Sequence, residues 1–71
     1  MNAEDFASKI PDNLSTIRKQ QRYTQKEVAV MAGLNPNYYA KVERGDSIPS
    51  LKTIQKIANA LKVTATEIVG F

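Results

Sequence analysis

The sequence of 71 residues contains no cysteine, no histidine and no tryptophan. Without cysteine the chain has no thiol catalysis, no disulfide and no zinc-finger ligation. Without histidine it also lacks the usual general base and the commonest metal ligand. No nucleophile with a base, and no pair of carboxylates, occurs at a useful spacing, so we expect no enzymatic activity, no metal and no cofactor.

Long apolar segments are also missing from the chain. No run approaches the roughly 20 apolar residues that cross a bilayer, and residues 1–6 have no signal-peptide pattern. We therefore expect one small domain in the cytoplasm, without a membrane partner. A chain this short has a core that only just outweighs its conformational entropy, so close helix packing or a dimer is expected to supply the rest.

The charge is distributed unevenly, although the net charge is only +3. Residues 18–62 contain nine basic and three acidic residues, whereas residues 1–17 and 63–71 are slightly acidic. A basic central segment indicates a polyanionic partner, because neutralising phosphates supplies most sequence-independent affinity for nucleic acids. Lysines on a solvated helix face would give the same pattern, so the charge alone leaves both interpretations open.

Start and stop signals divide the chain into five short helices. The first helix is predicted to begin at Pro11, because proline is tolerated in a first turn, and residues 1–9 are left as an N-terminal arm or short extra turn. The later helices begin at residues typical of N-caps, namely Thr24, Asn35, Ser50 and Thr64. No segment alternates in the manner of a strand, so the sequence predicts an all-α fold.

Apolar residues at helical spacing predict the buried faces. These residues are Ile10, Leu14, Ile17, Val28, Ala29, Ala32, Tyr39, Val42, Leu51, Ile54, Ile57, Ala58 and Leu61. Only Gly33, Leu34 and Asn35 separate the second helix from the third, so the two helices must cross steeply in the helix-turn-helix geometry. This crossing leaves the outer face of residues 36–41 free to lie in a groove.

Several short sequence motifs occur along the chain in a characteristic order and spacing. They lie in residues 17–18, 24–29, 33–35, 39–45, 49–51 and 57–63, and with them residues 14–69 resemble the lambda-repressor-like helix-turn-helix regulators, also called the Cro/phage-repressor or XRE type. The resemblance implies a compact five-helix domain, here residues 10–71, that binds operator DNA as a homodimer and regulates transcription. Tyr39 departs from the Ile, Val or Leu common in this family, which indicates an altered core or a phenol tip near the DNA.

Candidate base contacts lie on the third helix, where the resemblance places base-reading residues. The Asn37 amide matches the N6 and N7 edge of adenine, and the Lys41 ammonium suits the acceptors of guanine or a nearby phosphate. Tyr38 is interpreted equally well as a DNA contact and as a solvated surface tyrosine. Asn35 is expected to cap the helix first and to contact DNA second, and Pro36 offers only shape and apolar contact.

Candidate phosphate contacts flank the third helix. Gln25 begins the second helix, where free amides and the helix dipole favour a phosphate, and the resemblance implies a clamp there. Arg44 and Ser47 resemble the second clamp of the family. Lys52 is a weaker candidate, for which a solvated lysine is at least as good an interpretation.

The resemblance also implies a partly buried ion pair between Arg18 and Glu43, which we assign to structure rather than binding. We assign the C-terminal Ile68, Val69 and Phe71 to a two-fold interface, although Ile68 could instead complete the monomer core. Such a dimer would present two third helices roughly 34 Å apart, which predicts a palindromic operator.

The alternative function is a protein-interaction module of the antitoxin or coactivator type, because a fold does not dictate its function. Such a module is expected to expose an apolar stripe on the third helix, whereas a DNA-binding domain should expose polar and basic side chains there. A phage-type repressor, a restriction-modification controller and a small bacterial regulator all fit the first interpretation. We expect no small-molecule ligand.

Overall fold

The computed structural model describes the backbone of residues 3–70 and the side chains of residues 9–70. Over this range the chain forms five helices and no strand: α1 (Ala3–Gln20), α2 (Gln25–Ala32), α3 (Pro36–Arg44), α4 (Leu51–Leu61) and α5 (Ala65–Val69). The predicted all-α, five-helix fold is confirmed. None of the helices in the described part of the chain is long and apolar enough to span a membrane.

Four helices begin where the N-cap signals predict. The side-chain oxygens of Thr24, Asn35, Ser50 and Thr64 each accept a hydrogen bond from a backbone amide two or three residues later, at 2.8–3.2 Å. Each bond satisfies an amide that has no partner within its own helix. Gly33 then ends α2 at a φ of 70°, a left-handed conformation that lets the chain turn into α3 within three residues.

The core lies where all five helices meet. α1 packs against α3 and α5, α2 packs against α3 and α4, and α4 also contacts α5. The buried apolar residues are Ile10, Leu14, Val28, Ala29, Ala32, Tyr39, Val42, Ile54, Ile57, Ala58, Leu61 and Ile68. Two side-chain amides, one on α1 and one just after it, reinforce the packing. Asn13 donates to the carbonyl oxygen of Ile68 at 2.9 Å, and Gln21 donates to that of Leu61 at 2.8 Å.

The predicted start of the first helix is wrong. α1 begins at Ala3 and continues through Pro11, so residues 3–9 belong to the helix and are not an arm. An interior proline costs about 3 kcal/mol because it removes a hydrogen bond and crowds the preceding turn. Helical backbone on both sides of Pro11 places Ile10 and Leu14 one turn apart, and both are buried in the core, which offsets that cost.

Leu51 also differs from its predicted role in the apolar stripe of α4. Its side chain is 82% exposed, although Ile54, Ile57 and Leu61 are buried as expected. Leu51 is the first residue of α4, and the neighbouring Pro49 is buried in the loop before it. At this end of the helix the buried side chain is therefore that of Pro49, and the leucine points into solvent.

Candidate nucleic-acid interface

The two sides of α3 have opposite character. Tyr39 and Val42 are fully buried, so this side anchors the helix in the core. Asn37 and Lys41 are exposed and lie four residues apart, which puts them on one outward face. Tyr38 is half-buried and packs against the edge of the core, so it is less available than these two to a ligand in a groove.

The start of α3 is fixed by its own cap. The side-chain oxygen of Asn35 accepts hydrogen bonds from the amides of Asn37 at 2.8 Å and Tyr38 at 3.3 Å. Because that oxygen is engaged, a contact from Asn35 to a base would have to come from its amide nitrogen. Pro36 is exposed at the first helical position and offers an apolar surface there.

The N-terminus of α2 is the second element of the candidate interface. Thr24 and Glu27 form a reciprocal capping box, with the Thr24 hydroxyl accepting from the Glu27 amide at 3.0 Å and the Glu27 carboxylate accepting from the Thr24 amide at 2.8 Å. Gln25 follows the cap and is half-buried, and the next residue, Lys26, is exposed. The helix dipole gives this end a partial positive charge that suits a phosphate.

The loop between α3 and α4 carries the remaining predicted phosphate contacts. Arg44 pairs with Asp46 at 3.1 Å, and both side chains are more than half exposed. An exposed pair contributes about 0–1 kcal/mol, so a phosphate can replace the carboxylate at little cost. Ser47 is half-buried and Lys52 is exposed. Asp46 was not among the predicted residues, although its position two residues after Arg44 was a usable signal for this pairing.

Arg18 and Glu43 are in direct contact, 25 residues apart in sequence. The Arg18 Nε donates to both carboxylate oxygens at 3.1 and 2.9 Å, and Nη2 donates to Oε1 at 2.6 Å. The two side chains are only 13% and 5% exposed. Burial alone would raise the pKa of Glu43, but the hydrogen bonds and charge of Arg18, with smaller contributions from Tyr39 and Gln25, together outweigh it and hold that pKa below its ordinary value.

Tyr39 belongs to the core and does not reach the outward face of α3, so the phenol-tip interpretation is wrong. Its side chain is fully buried, and among the described residues its hydroxyl oxygen has no hydrogen-bond partner. Burial raises the pKa of Tyr39 well above its usual value, and the nearby Glu43 carboxylate adds to the shift. The larger side chain therefore fills a position where the family commonly has an aliphatic residue.

The predicted C-terminal interface is only partly available to a second subunit. Ile68 is fully buried and packs in the monomer core, so it is corrected to a core residue. Val69 is half-buried, and Phe71 lies outside the described residues. The exposed large apolar side chains of the described region lie elsewhere, on α2 at Val30 and Met31 and near the start of α4 at Ile48 and Leu51.

This arrangement, two short helices joined by a three-residue turn with the second helix presented outward, is a helix-turn-helix. The helix-turn-helix family matches residues 14–68, and the chain belongs to that family. The resemblance to XRE-type regulators is therefore confirmed.

Similar proteins are named as transcriptional regulators. The immunity repressor protein of Bacillus phage phi105 is 36% identical over 61 residues, which are 86% of this chain and 42% of the repressor. The cryptic phage CTXphi transcriptional repressor RstR of Vibrio cholerae serotype O1 is 34% identical over 62 residues, or 87% of this chain and 55% of that protein. This chain thus spans about half the length of these two repressors.

A solved structure shows the same fold. The crystal structure of the restriction-modification controller protein C.AhdI from Aeromonas hydrophila matches with a TM-score of 0.84 and 32% sequence identity. The match covers 87% of this chain and 94% of the controller protein. Repressors and a controller protein are non-enzymatic regulators, which agrees with the absence of enzymatic activity expected from the sequence.

Proposed function

We propose that this chain is a sequence-specific DNA-binding transcriptional regulator that places α3, its recognition helix, in the major groove. The observation that carries the proposal is the division of α3 into a buried apolar side and an outward side bearing Asn37 and Lys41. The buried side holds the helix rigidly, so that its exposed polar groups can meet the donors and acceptors of base edges.

The proposed contacts divide into two groups by chemistry. Asn37 reads adenine, and Lys41 contacts guanine or an adjacent phosphate. Gln25, together with the amides at the start of α2, binds the sugar-phosphate backbone on one side of the recognition helix. Arg44 and Lys52 bind the backbone on the other side, with Ser47 between them. Backbone contacts of this kind fix the register of the protein without reading sequence.

The protein is further proposed to bind as a homodimer to a palindromic operator, in the cytoplasm, where that DNA lies. A two-fold dimer places two recognition helices in successive major grooves, roughly 34 Å apart. With Ile68 in the core, Val69 and Phe71 remain from the predicted interface. A protein named as a repressor and one named as a controller are both similar to this chain, so the sign of regulation stays open.

The alternative, a protein-interaction module, is less well supported by the surface of α3. Such a module would need apolar side chains on the outward face of the recognition helix. The large exposed apolar side chains among the described residues lie on α2 and around the start of α4, and none lies on α3. The polar outward face of α3 therefore favours DNA over a protein partner.

Selection from a random pool of double-stranded DNA tests the proposed function. We expect enrichment of a palindrome with half-sites about one helical turn apart, and affinity for the winner that falls steeply with salt. Enrichment of a non-palindromic site would refute the proposed dimer but support the proposed DNA-binding function. No enrichment above the starting pool, with protein that is folded by circular dichroism, would refute the function.

A further inference from the structure

The Arg18 guanidinium joins three parts of the fold. Arg18 lies in the last turn of α1, and two of its nitrogens hold the Glu43 carboxylate on α3. Its third nitrogen, Nη1, donates to the backbone carbonyl of Tyr23 at 2.9 Å. Tyr23 also donates its own amide to the backbone carbonyl of Arg18 at 3.2 Å. The turn from α1 to α2 is thus held from both directions by one residue.

That turn needs such support. Arg22, just before Tyr23, has a φ of 63°, a left-handed conformation that is strained for a residue with a side chain. Thr24, just after Tyr23, is the N-cap of α2. The position of the Tyr23 carbonyl therefore determines where α2 begins and where its first residue, Gln25, points.

The other partner of Arg18 lies on the recognition helix. Glu43 is the neighbour of Arg44 and lies two residues after Lys41, so a bond to Glu43 fixes the helix that carries both proposed DNA contacts. Gln25 also contributes to the lowered pKa of Glu43. Arg18 thus connects the two elements that would face DNA, through Tyr23 before α2 and through Glu43 on α3.

We propose that Arg18 is a positioning residue for DNA binding: by holding the Tyr23 carbonyl and the Glu43 carboxylate together, it sets the N-terminus of α2 against α3 and so places Gln25 at its phosphate. This inference rests on the proposed DNA-binding function. It goes beyond a purely stabilising ion pair, because it makes the affinity of the folded protein, and not only its stability, depend on Arg18.

Arg18→Lys is the informative substitution. It keeps a positive charge beside Glu43, so the buried carboxylate still has a cationic partner. A lysine has one compact nitrogen in place of the planar fork, so it cannot reproduce the three-nitrogen span between Glu43 and Tyr23. Asn13→Ala is the matched control, because it breaks a bond from α1 to the carbonyl of Ile68 on α5, away from both DNA-facing elements.

The readout is a double-mutant cycle with Gln25→Ala, measured as dissociation constants for a selected operator at a temperature where circular dichroism shows every variant fully folded. We expect Arg18→Lys to weaken binding about 10-fold in the wild-type background and less than about 2-fold in the Gln25→Ala background, since residues that act through one contact are not additive. Asn13→Ala should lower the melting temperature and leave the affinity of the folded protein unchanged.

Two results would overturn the inference. One is an unchanged affinity for Arg18→Lys, with only a lower melting temperature, which is the behaviour of a purely structural residue. The other is an equal loss in both backgrounds, which would mean that Arg18 does not act through Gln25. Failure of the wild-type protein to bind any DNA would refute the proposed function itself, and it differs from both of these results because they require wild-type binding.

Discussion

Replacing Glu43 by alanine removes the carboxylate that the Arg18 guanidinium grips with two nitrogens. The Arg18 side chain, only 13% exposed, would then keep its charge and its bond to Tyr23 but lose its main partner. Leaving one member of a buried pair uncompensated costs about 3–5 kcal/mol. Because some solvent reaches Arg18, we expect a value at the lower end, about 3 kcal/mol.

That loss is large for a chain of 71 residues. Typical stabilities of 0.05–0.15 kcal/mol per residue give a total of about 4–11 kcal/mol. A domain of this size changes its melting temperature by about 4–8 °C per kcal/mol, so Glu43→Ala should lower it by about 12–24 °C. Thermal unfolding followed by circular dichroism measures the shift.

Asp46→Ala is the matched control, because it also removes an acid paired with an arginine, but in a pair that is more than half exposed. The control should change the stability by no more than about 1 kcal/mol. If Glu43→Ala melts at the wild-type temperature, or shifts only as far as Asp46→Ala, the buried pair does not stabilise the fold and the reasoning is refuted.

The same pair predicts a pH dependence. The folded-state pKa of Glu43 is lowered by Arg18, so the stabilisation is fully present above the ordinary glutamate pKa of about 4.3 and is lost as the pH falls through the lower folded value. The difference in melting temperature between the wild type and Glu43→Ala should therefore be constant near neutral pH and shrink below about pH 4. A difference that grows on acidification would contradict this sign.

Lys41→Ala should relax base preference at one position per half-site, whereas Gln25→Ala should weaken all sequences about equally, and repeating the DNA selection with each variant separates the two roles. Tyr39→Phe should leave the melting temperature unchanged or raise it, because it removes a buried hydroxyl that has no partner among the described residues. Burying such a group costs about 1–3 kcal/mol, so a clearly lower melting temperature for Tyr39→Phe would show that the hydroxyl does bond to Glu43.

The features that could be predicted from the sequence are mostly local ones. A cap such as Thr24 or Asn35 bonds to an amide two or three residues away, so the signal and the structure lie in the same short segment. The turn at Gly33 is similar, since only its own backbone conformation decides it. The contact between Arg18 and Glu43 spans 25 residues, and only the family resemblance indicated it.

The predictions that were wrong concern features that depend on tertiary neighbours. Pro11 is typical of a helix start by local rules, but the helix continues through it because Ile10 before it and Leu14 after it are both buried in the core. Leu51 fits the periodicity of α4, yet it is exposed at the first position of the helix, and Pro49 in the preceding loop is buried in its place. Ile68 was assigned to a two-fold interface, with the monomer core as the alternative, and it lies in the core, where Asn13 of α1 bonds to its carbonyl.

The ion pairs also determine which cationic side chains are available to bind phosphates. Among the described residues, Arg18 is neutralised by Glu43 and Arg44 is partly offset by Asp46, so an incoming phosphate competes only for Arg44. The proposed cationic contacts are therefore Lys41, Arg44 and Lys52, three in each subunit. At about 0.9 counterions per phosphate neutralised, a monomer should give a slope of roughly −3 in log affinity against log salt, and a dimer roughly −5. A slope near −3 on a palindrome would show that one subunit binds alone, and would remove the dimer while leaving the recognition helix in place.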